Sequence, residues 1–153
     1  MANEIKTKDI ARATFTITLA SLATDSARAS ASVDNSGTDY PAAMVNLKIT
    51  SGATAPTAGA LYEIYLLKYD GVIGTDGWVG TDSAITIENA PLLGTIVVTA
   101  TASKAFYAEF DTSVLGALGR TWGIAVKNAS GQALDATEAN HIKGYSYYVP
   151  EVQ

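Results

Sequence analysis

The sequence predicts an all-β chain: an antiparallel β-sandwich, jelly-roll-like, with residues 1–13 as a short N-terminal arm and 14–153 as a single domain. Two observations carry this reading. Eight or nine β-prone segments follow one another at roughly even spacing, a count that at this length suits two packed antiparallel sheets. Clusters of Gly, Asn, Asp and Ser punctuate them as turns. The one competing signal is a single helical turn over Val114 to Gly119.

Residues 1–12 are polar, with Ile5 and Ile10 as isolated apolar anchors. No helical stripe develops, so an extended arm is favoured over a short helix. Lys6, Lys8 and Arg12 ahead of Phe15 to Ala20 have the outline of a signal peptide, but Thr14, Thr16 and Thr18 break that run at period two. Phe15, Ile17 and Leu19 therefore read as one face of a strand. Ala27, Ala29, Ala31 and Val33 alternate with Ser26, Arg28, Ser30 and Ser32 and end at the turn Asp34-Asn35-Ser36-Gly37. Ala43, Val45, Leu47 and Ile49 alternate with Met44, Asn46, Lys48 and Thr50, the pattern of a half-buried strand. Residues 51–59, small and containing Pro56, form a loop.

Leu61 to Tyr69 is the most informative stretch, ending at the turn signal Asp70-Gly71. Alternate strand residues face opposite sides. Tyr62, Ile64, Leu66 and Lys68 share one face; Leu61, Glu63, Tyr65, Leu67 and Tyr69 share the other. Both faces are largely apolar, although a sandwich core needs only one. Something should cover the second face, and a neighbouring subunit is one candidate. Residues 70–84 follow as a Gly-rich loop around Trp78. Further strands are expected at Ile85 to Glu88, Gly94 to Thr101, Ala105 to Phe110, Thr121 to Asn128 and Ile142 to Val149.

Composition narrows the function. The chain has no cysteine, so disulfides, thiolate metal sites and cysteine nucleophiles are excluded. Charged residues make up 16% of the chain, against about 25% in an average soluble domain. A surface so lightly charged suits packing among neighbours. The net charge of −5 and the scatter of the ten basic residues argue against a nucleic-acid surface. No apolar run approaches the length of a membrane span.

Chemistry-bearing residues form no constellation. His141 is the only histidine; it lacks a nucleophile-elbow partner and reads as an ordinary surface or edge residue. Asp70, Asp76 and Asp82 lie in the Gly-rich loop, but their spacing matches no EF-hand loop and Asp-Gly is common turn chemistry. Glu63, Glu109 and Asp111 sit in or beside strands with nothing to make them converge as glycosidase carboxylates must. Asn128-Ala129-Ser130 matches a glycosylation sequon and reads as a turn. Trp78, Tyr40, Tyr69 and the cluster Tyr145-Tyr147-Tyr148 suit core or subunit packing better than sugar stacking. No catalytic, metal or cofactor site is expected. The candidate protein interface is Tyr65, Leu66, Leu67, Tyr69, Trp78, Tyr145 and Tyr147.

A family resemblance rests on four segments. They are Val45 to Gly52, Ala55-Pro56-Thr57-Ala58-Gly59, Leu61 to Leu66 ahead of a Gly-rich loop, and Val126-Lys127-Asn128-Ala129-Ser130-Gly131-Gln132-Ala133-Leu134. Over about residues 40–150 the order of these features resembles small jelly-roll virion proteins of tailed bacteriophages, of the capsid decoration or cement type. The resemblance implies a non-enzymatic structural protein that binds the major capsid lattice, or a tail structure, and itself. It implies a homo-oligomer, a trimer by analogy, located in the virion and assembled in the host cytoplasm. The alternative is a carbohydrate-binding adhesin module using Trp78 and surface tyrosines.

Overall fold

Period-two alternation becomes two antiparallel sheets in the computed structural model, which describes residues 5–152. In chain order the strands are β1 (Ile5–Asp9), β2 (Ala13–Thr14), β3 (Ser26–Ala29), β4 (Val33–Asp34), β5 (Ala42–Thr50) and β6 (Leu61–Tyr69). They continue with β7 (Ser83–Ile85), β8 (Leu92–Val97), β9 (Ala105–Asp111), β10 (Thr121–Ala129) and β11 (Ile142–Val152). One sheet runs β1-β11-β5-β9, with β2 also on β11. The other runs β7-β3-β10-β6-β8, with β4 also on β10. The chain changes sheet after β2, β4, β5, β8, β9 and β10. That alternation winds it into a jelly roll, as expected.

The core lies between the sheets and is set by strand parity. Ala43, Val45, Leu47 and Ile49 of β5 face Tyr62, Ile64 and Leu66 of β6, all buried. Trp122 on β10 is the centrepiece. Its ring meets Phe15 edge-on at 5.4 Å and Tyr145 at 5.2 Å, and its Nε1–H donates to Tyr147 Oη at 2.9 Å. A buried indole keeps its polar edge satisfied in this way. Tyr148, of opposite parity, donates its hydroxyl to Asp111 at 2.6 Å.

Several expectations change. Residues 15–19 are extended with Phe15, Ile17 and Leu19 buried, but they form no strand. Their backbone changes partners at each step: Phe15 N–H donates to Lys143 O at 3.1 Å, and Thr16 O accepts from Ala31 N–H at 2.7 Å. The segment crosses from one sheet to the other, so no ladder can form. Glu138 Oε2 accepts the N–H groups of Leu19 (2.8 Å) and Ala20 (2.7 Å), and Glu138 Oε1 binds the ammonium of buried Lys143. The expected turn at Val114 to Gly119 is a 3-10 turn at Thr112–Leu115, capped by Asp111 Oδ1 accepting from Ser113 N–H at 2.8 Å. Of the expected arm, residues 5–9 pair with Tyr148 to Val152 of the chain's own β11, as strand and not helix. Residues 1–4 lie outside the described residues.

The second face of β6 is covered, but by the chain itself. Residues 70–91 fold back over the sheet as a strap, and β7 within it pairs with β3. Leu67 and Ala125 form a second cluster with Ala29, Trp78 and Ala90, with Tyr65, Tyr69 and Ile85 packed against it. Trp78 is 2% exposed, and its Nε1–H donates to Ser30 O at 3.0 Å. A Cβ at Gly123 would stand 2.8 Å from its ring; the bare glycine is what lets the indole lie against β10. The neighbouring subunit expected on this face is replaced by an intramolecular cover.

Candidate functional site

Three carboxylates hold the strap. Asp70 Oδ1 accepts the N–H groups of Val72 (2.8 Å) and Ile73 (2.6 Å). Asp76, in the left-handed region at φ 52°, accepts three N–H donors from Glu88, Asn89 and Ala90 at 2.8–3.0 Å. Burial opposes the Asp76 charge, yet those three donors hold its pKa below the usual carboxylate range. Asp82 binds Arg28 Nε at 2.6 Å and Thr18 Oγ1 at 2.7 Å. Each acid has its own backbone or side-chain task. Among the described residues no three potential metal ligands cluster.

The other chemical candidates are also occupied. His141 is buried, a correction to the surface position expected. Its Nδ1 accepts from Thr50 N–H at 3.3 Å and its Nε2 lies 3.1 Å from Asp135 O, the pattern of a neutral ring with the proton on Nε2. Glu63 accepts from Tyr65 Oη at 2.7 Å and pairs with Lys127 at 3.2 Å. Glu63 shares the strap-side face of β6, whereas Glu109 is exposed on the outer face of the opposite sheet. The sandwich separates the two carboxylates, so they share no cleft. Asn128 is buried at the end of β10, its amide donating to Leu22 O (2.9 Å) and Gln132 O (2.7 Å), so the sequon closes a strand where a turn was expected.

Among the seven interface candidates, Leu66, Leu67, Trp78 and Tyr147 are buried within the chain. Tyr65, Tyr69 and Tyr145 are half-buried against the two core clusters. They are packing residues of the fold, and Trp78 offers no ring face for a sugar to stack on.

The most exposed aliphatic residues lie elsewhere, at the end of the sandwich where the strap leaves β6. Asp70 and a Tyr69 Oη bond to Gly71 O at 2.8 Å fold a tight tip, which presents Val72 at 87% and Ile73 at 73% exposure. Val114, at 69%, stands on the adjacent loop after β9. That loop is anchored by Lys68 Nζ donating to Ala117 O at 2.6 Å and by Leu118 N–H donating to Pro41 O at 3.1 Å. Buried Asn35 binds Tyr40 O and Gly119 O, both at 2.9 Å, tying in a third loop. A hollow of about 510 Å³ opens between the loops, lined among others by Tyr69, Ile73, Leu118, Lys68 and Arg120. Sequence reading missed Val72, Ile73 and Val114. Their signal is an aliphatic residue where turn chemistry would place a polar one.

Comparison with known proteins adds no assignment: no family model, curated protein or solved structure matches this chain. Among the described residues no helix is long and apolar enough to cross a membrane.

Proposed function

We propose that this chain is a non-enzymatic structural protein of a tailed-phage virion, a capsid decoration protein that binds the major capsid lattice and stabilises the particle. The observation that carries the reading is the aliphatic loop end of Val72, Ile73 and Val114, exposed yet held in place by side-chain bonds to backbone. Apolar side chains displayed on braced loops suit a protein contact. The jelly-roll fold and the low charge density support the same reading. A bridging contact stabilises a shell because opening the lattice must then break it as well.

The test uses particles and a paired substitution. Quantitative mass spectrometry of purified virions is expected to recover the chain at a fixed ratio to the major capsid protein. Val72→Asp with Ile73→Asp is expected to leave the thermal melt unchanged, because both positions are exposed. It should weaken binding to undecorated shells by at least about tenfold, as loss of a central apolar contact does. Virions lacking the chain, or full binding by the variant, would overturn the proposal.

A further inference from the structure

The two outer faces of the sandwich are treated differently. The strap covers the outer face of β3-β10-β6, whereas the outer face of β11-β5-β9 carries the Arg12 side chain over Gly144 and, at one end, the Tyr148–Asp111 bond that crosses β5. Strand register maps that face in rows. Tyr107, Lys48 and Ile142 form one row; Glu109, Asn46 and Gly144 the next; Asp111, Met44 and Ser146 the third. Tyr107 is 73% and Ile142 46% exposed. Gly144 has no side chain, and the Arg12 guanidinium occupies the place a Cβ would take. Arg12 and Glu109 therefore stand as opposite walls of a shallow hollow over Asn46. Arg12 and Glu109 form no ion pair with each other within the chain.

We infer that this face binds a second copy of the same chain about a two-fold axis running roughly along β5. The rotation exchanges the β9 and β11 sides of the face. It sets Glu109 of each copy opposite Arg12 of the other, and Tyr107 opposite Ile142, so both the charged and the apolar pairs are satisfied twice. Asn46 meets its own counterpart on the axis, where two amides can exchange hydrogen bonds. Lys48 is the one like-charged approach; it lies in the row nearest the end of β5, and its long stem lets the ammonium reach solvent at the rim. Such a self-complementary patch is what an isologous interface requires. Strand spacing and rise make the mapped face roughly 15 by 20 Å, so the contact rests on its paired charges more than on its area. The pairing stands apart from the virion reading, because it is measured in solution without any capsid.

Sedimentation velocity and light scattering on the full chain test it by charge exchange. The unaltered chain is expected as a dimer at micromolar concentration. Glu109→Arg alone and Arg12→Glu alone should each weaken dimerisation by at least about tenfold, and the double exchange should restore it, since close interfacial charge pairs couple strongly. Tyr107→Asp, at an exposed position, should also give a monomer with an unchanged melt, which separates interface loss from unfolding. A monomer before any substitution, an oligomer indifferent to the single reversals, or a double exchange that fails to restore the dimer would overturn the inference.

Discussion

His141 is held by donors and acceptors that fit only its neutral form. Thr50 N–H already points at Nδ1, so a proton there would set donor against donor. Burial, ahead of its charged neighbours, lowers the pKa below the ordinary histidine value. A depressed histidine binds its proton more readily unfolded than folded, so its contribution to stability is complete above the unfolded pKa of about 6.5 and is lost as pH falls below it. The urea midpoint is expected to decline between pH 7.5 and 5.5. Because the chain has one histidine, the assignment can be made directly. His141→Gln should lower stability by about 1–3 kcal/mol through unsatisfied partners and flatten the profile over that range. A profile that keeps its slope in the variant would refute the assignment. Below about pH 4 a further decline is expected as Asp76, Asp82 and Glu138 gain protons: each carboxylate is held below its ordinary pKa against the opposing effect of burial.

At the scale of elements, the strap decides what β6 can contact. Trp78→Ala would empty the space over Leu67 and Gly123 and is expected to cost about 3–5 kcal/mol, as large aromatic truncations do. Asp76→Ala removes the acceptor of three N–H groups without touching the core. Amide exchange at Glu88 to Ala90 should quicken by about tenfold or more while β5 and β10 stay protected; uniform exchange across the sheets would contradict a local clasp. The sequence made much of this fold legible. Val45, Leu47 and Ile49 declared the core face of β5 because period two reports sidedness. Phe15, Ile17 and Leu19 declared burial equally well, yet alternation does not say which backbone will pair, and here the partner changes along the segment. Bulk on both faces of β6 announced that a cover was needed, without naming the strap as that cover. The second buried face of β10 was silent, since Gly123 and Ala125 carry too little apolar surface to register. The loop-end residues Val72, Ile73 and Val114 were hidden for a different reason: no periodicity marks a display position in a turn.

At the scale of the whole molecule, one outer sheet face is closed by its own loop, the other carries Arg12 and the Tyr148–Asp111 bond among the described residues, and one loop end is aliphatic. The two proposals place their neighbours on separate surfaces: a lattice at the loop end and a second copy at the Arg12–Glu109 face. A trimer, the state implied by resemblance, would need a further heterologous contact, because a two-fold face alone closes at two. The measurement that bears most directly on an assembly role is a cryo-electron map of purified virions at side-chain resolution. The expected result is jelly-roll density on the capsid lattice, its Val72–Ile73–Val114 end against a capsid subunit and Trp78 still closed over β6. Virions without such density, or density in which the strap is displaced and Tyr65, Leu67 and Tyr69 meet a neighbour, would contradict it.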